Sequence, residues 1–219
     1  MNTETRPVHR SRLVPWAAVL LAAAAAPGLR AWSSKDLPYF EPVHQMAIAN
    51  ILGSVLPPDQ IAILQQAQVD VDTHQKFDES FMHAMTGLDA GQALADEMPV
   101  YIGKSEDFVR ANLTDAIARQ RAGDTAGALQ ALGTALHTLE DATSPAHRGF
   151  QPWSRGESVF EMAVHVMKER VYPTDTSDPE EAAERKALEA SVQWGYDIFT
   201  GKRPMPDHFF SPQGALNLP

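Results

Sequence analysis

The 219-residue chain contains no cysteine. That absence excludes a disulfide framework, a thiolate metal site and a cysteine nucleophile, so any metal must be held by His, carboxylate or backbone groups. Basic residues are also scarce, with 18 Lys and Arg against 28 Asp and Glu and a formal net charge of −10. Bulk attraction to duplex DNA or to anionic lipid needs clustered cations, so a phosphate-bearing ligand has to be held locally here. No segment alternates apolar and polar residues over the length of a strand. Neither an internal repeat nor a long low-complexity linker divides the sequence. The longest apolar-biased run, Leu13–Ala26, falls short of the roughly 20 residues that a membrane-spanning helix requires.

That run has the layout of a secretory signal. Arg6, His9, Arg10 and Arg12 precede it, and Pro27-Gly28-Leu29-Arg30-Ala31 follows before Trp32. A basic segment, a short apolar stretch and a small residue at the end are the marks of an export peptide, with cleavage expected after Ala31. Residues 1–31 are therefore read as a signal peptide and 32–219 as one domain, secreted or periplasmic, with no stable membrane span after processing. The processed chain is more acidic still, because residues 1–31 hold four Arg and one Glu.

Beyond the signal, 44% apolar residues suffice for a sizeable core, and their spacing is helical. Apolar positions recur at helical spacing from Glu41 to Val55. Pro58 suits the first turn of a helix running to Val69. Ser105 is placed to cap a helix over Glu106–Ala122, which stops at Gly123. Asp124 opens Thr125–Ala142, where Leu129, Leu132, Leu136 and Leu139 form one stripe. A helix over Glu157–Tyr172 repeats the pattern, and Ser177 with Glu180 predicts a capping box for a last helix reaching Phe199. Thr73–Tyr101 and the proline-rich tail after Gly201 read as loops. The expected fold is all-α, a single multi-helix domain.

Eight histidines in such a chain direct attention to their spacing. His137 and Asp141 stand four apart on one predicted helix, so both project from the same face. His147 follows six residues later, and His165 and Glu169 repeat the four-residue spacing on the next helix. Neutral imidazole and carboxylate are the ligands zinc takes when thiolate is absent. Paired ligands on facing helices are one way to build a multi-metal site in a bundle core. A single pair of this kind arises readily by chance, but two pairs with His147 between them favour a metal centre.

The string Leu136-His137-Thr138-Leu139-Glu140-Asp141-Ala142-Thr143-Ser144-Pro145-Ala146-His147, together with His165-Val166-Met167-Lys168-Glu169, resembles the core motif of the zinc-dependent phospholipase C family and its relatives, the single-strand-specific nucleases. The resemblance runs from Trp32 to about Arg170 and is strongest over Leu136–His147. It departs from the phospholipase pattern in a longer interval between His147 and His165 and in a shorter processed chain. The resemblance implies the family's helical fold and a centre of three zinc ions. One ion would be held by Asp70, His83, His137 and Asp141, with Asp72 the alternative to Asp70. The second would take His147, His165 and Glu169. The third would take the amine and carbonyl of an N-terminal Trp32, with His44 and a bridging Asp141.

The implied activity is zinc-dependent hydrolysis of a phosphodiester, with Asp70 as a ligand that also acts as general base or orients the attacking water. A phospholipid head group is the first expectation for the substrate and single-stranded nucleic acid the alternative. A non-enzymatic zinc-binding helical domain is a third possibility. The sequence assigns no protein partner and no head-group or base-binding residue. Arg148 and Arg155 lie near the ligands of the second ion, where either phosphate contact or simple solvation is open to them. The same choice between a role beside the site and a bland one holds for His74 and Glu161, and for Phe77, Phe81 and Trp153 as pocket or core. His208 reads as solvent-facing.

Overall fold

A computed structural model describes residues 42–74, 76–89, 91–154, 172–173 and 175–219. The expected signal segment, Trp32 and most of the helix expected over Glu157–Tyr172 lie outside these residues.

The described residues are chiefly helical. Helix α1 spans Val43–Leu52 and ends where the Gly53 amide reaches the Ala49 carbonyl at 3.0 Å. His44, Ala47, Ile48 and Leu52 are its buried residues, so the stripe that packs into the core carries a histidine with it. Helix α2, Pro58–Val71, starts with proline in its first turn and buries Ile61, Leu64, Ala67, Gln68 and Val71. The segment expected to be a loop after Thr73 is more ordered than its composition indicates. A 3-10 helix covers Phe77–His83, and Ala84 follows it in the left-handed region at φ 49°. Strand β1, Thr86–Leu88, then pairs in parallel with β2, Pro152–Ser154. The Thr86 hydroxyl also donates to the Phe150 carbonyl at 3.0 Å.

Helix α3 runs over Leu94–Arg121, beginning eleven residues before the capping position expected at Ser105. Ser105 lies inside it and is buried, its hydroxyl donating to the Phe81 carbonyl at 2.6 Å. Serine favours a cap only while no better partner exists for its hydroxyl. The long-range bond to Phe81 supplies one, and Pro99 is accommodated near the start of the helix.

Helix α4, Thr125–Asp141, matches the expected span to one residue. Asp124 caps it by accepting from the Gly127 amide at 3.0 Å. From Ala131 to Asp141 every residue except Thr134 is buried, because α4 packs against α2, α3 and the final helix. Leu132, Leu136 and Leu139 are wholly buried, each contributing roughly 1.5–3 kcal/mol over an exposed side chain. Gly133 allows α2 to come close. A Cβ there would lie 2.7 Å from the Leu64 carbonyl oxygen and 2.8 Å from the Ala67 Cβ.

The final helix α5, Pro179–Phe199, is capped by Asp178 rather than Ser177, through the Glu180 amide at 2.8 Å. The tail after Gly201 carries no helix, as its prolines predict, and folds back along α3. Arg110 donates to the Pro206 and Asp207 carbonyls, and Glu106 accepts from the Phe210 amide. Phe209 and Phe210 are buried. No helix among the described residues is long and apolar enough to cross a membrane.

Candidate metal centre

The last turns of α4 deliver His137, Glu140 and Asp141 to the middle of the bundle, where the packing that buries Leu136 and Leu139 buries them as well. His137 Nε2 lies 3.0 Å from Asp141 Oδ2, which realises the expected i,i+4 pairing. Four further segments close on this pair. The inner face of α1 brings His44, whose Nε2 is 3.2 Å from Asp141 Oδ1. The residue after α2 brings Asp72, with Oδ1 3.5 Å from His137 Nε2. The end of the 3-10 helix brings His83, with Nδ1 3.1 Å from both Asp141 Oδ2 and His137 Nε2. The turn beyond α4 brings His147, with Nδ1 3.5 Å from Asp141 Oδ2 and 2.5 Å from the His83 carbonyl oxygen.

All seven of these residues are buried. Their ion pairs among the described residues are between histidine and carboxylate, with neither Lys nor Arg taking part. Burying a group of acids and imidazoles is costly unless something compensates the charge. The ring nitrogens are already oriented by backbone. His83 Nε2 faces the His74 carbonyl at 3.0 Å, leaving Nδ1 to the cluster, and His147 directs Nδ1 at the His83 carbonyl.

Protonation follows from this packing. Burial, reinforced by the neighbouring His44 and His83 and opposed by Asp141, lowers His137 to about 3, so its imidazole is neutral. Burial also tends to raise Asp141, but the close approach of His137, His147 and His44 outweighs it and holds the carboxyl well below its ordinary range. Burial works against a protonated His44, yet the close approach and charge of Asp141 and Glu140 raise its pKa well above the ordinary value. Glu140 is pushed up to about 7 by burial, against the pull of His44 and Gln68.

The donor set fits a metal. Two groups, His44 with His137 and Asp141, and Asp72 with His83 and His137, each bring their ligand atoms within 4.8 Å of one another. Nitrogen and carboxylate donors of this kind suit zinc and neighbouring divalent ions. His137 belongs to both groups through one ring, whereas Asp141 offers Oδ1 toward His44 and Oδ2 toward His83 and His137. The two oxygens of this carboxylate thus face different histidines.

Of the residues singled out from sequence, His44, His83, His137, Asp141 and His147 come together. Asp70 does not, and it is Asp72, the alternative to it, that lies beside His137. The side chain of Asp70 is exposed and accepts from Gln66 Nε2 at 2.8 Å, while Asp72 is the buried one. Two residues around a helix differ by about 200°, so at the end of α2 only one of the pair can face inward. Trp32, His165 and Glu169, with Arg155 and Glu161, lie outside the described residues.

The other candidates fall away from the cluster. Arg148 is exposed, and so is His208, which pairs with Glu106 at 3.1 Å. The exposed ring of His74 faces Glu79, and its contribution to the site is its backbone carbonyl. Phe81 packs against the core and meets Phe108 edge-on at 5.7 Å. Phe77 and Trp153 are half-buried.

Two buried polar residues escaped the sequence reading. Glu140 accepts from Gln68 Nε2 through Oε1 and approaches His44 Nδ1 with Oε2 at 3.0 Å. The signal was present as a carboxylate and an amide set within the apolar stripes of α4 and α2. Comparison with models of known families, with curated proteins and with solved structures returns no match.

Proposed function

We propose that the chain is an exported, zinc-dependent phosphodiester hydrolase of the phospholipase C type. The supporting observation is the convergence of His44, Asp72, His83, His137, Asp141 and His147, from five segments of the chain, on one buried cluster of imidazoles and carboxylates. The resemblance carried by His137, Asp141, His147, His165 and Glu169 supplies the reaction class.

On this reading Asp72, His83, His137 and Asp141 would hold one ion, with Asp72 in the place expected for Asp70. His44 and Asp141, with the amine and carbonyl of Trp32 after processing, would hold a second, and His147 with His165 and Glu169 a third. Bound zinc supplies Lewis-acid polarisation of the phosphoryl oxygens and acidifies water toward a pKa of about 7. Asp72 accepts the proton of the attacking water, since its carboxylate is buried beside the ligand nitrogens. His83 and His147 hold their rings in place through backbone carbonyls, so the site is organised before substrate arrives. Water adds to phosphorus as the ester P–O bond breaks and the leaving oxygen departs with a proton. Among the candidate substrates, the acidic net charge favours a phospholipid head group over a nucleic acid strand, which needs a basic track.

The test is zinc content and hydrolysis in the secreted protein, with wild type and His137→Ala compared on phosphatidylcholine vesicles and on single-stranded DNA. About three zinc ions behind an N-terminal Trp32, a sharp fall in the variant and zinc-dependent release of phosphocholine are expected. A preference for DNA would move the assignment to the nuclease branch. Absence of bound metal, or equal metal in both proteins, would remove the basis of the reading.

A further inference from the structure

The ring of His44 is engaged at both nitrogens by successive residues of α4. Glu140 Oε2 lies 3.0 Å from Nδ1, and Asp141 Oδ1 lies 3.2 Å from Nε2. Two adjacent helical residues point about 100° apart, so together they can reach opposite edges of a single ring lying across the helix. The ring also lies against His137, with centroids 4.6 Å apart and planes at 33°. Glu140 is itself held, because Gln68 Nε2 donates to its other oxygen. Gln68, Glu140 and His44 therefore form a buried relay from α2 through α4 to α1, with the last two 96 residues apart in sequence.

We infer that Glu140 is a positioning residue for the metal centre, keeping His44 Nδ1 as a hydrogen-bond donor so that Nε2 faces Asp141 and the ion. Both carboxylate oxygens of Glu140 are engaged, one by Gln68 and one by the edge of the ring remote from Asp141. Its place is therefore behind the ligand rather than beside the ion. A carboxylate on the outer nitrogen of a ligating histidine fixes the tautomer and the ring direction, and its loss typically weakens metal binding about 10–100-fold. Gln68 serves the same end by stopping Glu140 from turning away. This inference rests on the zinc-centre reading proposed above.

The experiment compares zinc affinity, by competition with a chromophoric chelator, in wild type, Glu140→Leu, Glu140→Gln and Gln68→Met. Histidine ring nitrogen NMR on the zinc-loaded wild type accompanies it. Glu140→Leu keeps the volume and removes the acceptor, so one zinc-binding step should weaken by about 10–100-fold while the remaining steps stay unchanged. Glu140→Gln retains an acceptor oxygen and should restore part of that loss, and Gln68→Met should show a smaller fall in the same step. The wild-type spectrum should place the proton of His44 on Nδ1, an outcome a purely structural Glu140 does not require. Equal zinc affinity in wild type and both Glu140 variants, or a His44 proton on Nε2, overturns the inference while leaving the metal centre standing. A wild type that takes up no zinc overturns both. If Glu140→Leu does not fold, Gln68→Met and the wild-type spectrum decide the matter.

Discussion

His83 Nδ1 and His137 Nε2 face each other at 3.1 Å, with Asp141 Oδ2 within 3.1 Å of both and Asp72 Oδ1 3.5 Å from His137. Four donors from three chain segments meet there in the protein interior, so a divalent ion bound among them is coupled to the fold. Zinc at a hundredfold excess over its dissociation constant should add about 2.7 kcal/mol. For a domain of this size, that shifts the melting temperature by roughly 5–10 °C. Thermal melts with zinc and with EDTA check this, and coincident curves would contradict a metal centre at this place.

The two aspartates at the end of α2 offer a paired control. Asp72→Asn should reduce bound zinc and zinc-dependent hydrolysis sharply, because it removes the carboxylate beside His137. Asp70→Asn alters an exposed side chain paired only to Gln66 among the described residues, and should change stability by no more than about 0.5 kcal/mol with full zinc content. Elemental analysis of both proteins decides it. The reverse result would restore the ligand set expected from sequence.

Metal-free and zinc-loaded proteins should respond to pH in opposite ways. In the metal-free state the pKa of His44 is raised, because Asp141 and Glu140 outweigh the effect of burial. A histidine with a raised folded pKa binds a proton more tightly when folded. Its contribution is fully present below the unfolded value near 6.5 and is lost as pH rises through the folded value. Zinc binding needs that proton removed, so zinc affinity should increase over the same range. Melts in EDTA and in zinc from pH 6 to 9 should diverge with rising pH, and calorimetry in buffers of different ionisation enthalpy should record proton release on zinc uptake. Parallel curves would argue against His44 as a ligand.

Gly133 sits one turn before His137 on the face that meets α2, where an added Cβ would come within 3 Å of Leu64 and Ala67. Gly133→Val should cost about 1–3 kcal/mol by overpacking. It should also weaken zinc binding, because separating α2 from α4 moves Asp72 and Gln68 away from His137 and Glu140. Melting and zinc titration of this variant test the coupling. Lost stability with unchanged zinc affinity would show that the site tolerates the displacement.

What was legible in the sequence was local. The stripe of Leu129, Leu132, Leu136 and Leu139 predicted α4, and the four-residue step from His137 to Asp141 predicted their common face. Both follow from the helical repeat alone. Pro58 and Asp124 marked helix starts because their chemistry suits a first turn or a cap wherever it occurs. Ser105 was misleading for the same reason, since a capping side chain says nothing of the Phe81 carbonyl that a distant segment brings to it.

The sequence by itself determined that donors here are imidazoles and carboxylates, with no thiol to compete, and that two of them share one helical face. Only the tertiary structure decided that Asp72 rather than Asp70 turns inward, that His44 and His83 reach different oxygens of Asp141, and that Glu140 with Gln68 stands behind His44. Helix periodicity settles relationships within a few residues. The packing of α1 and α2 against α4 settles those between groups as far as 96 residues apart, and only burial of the apolar stripes sets that packing.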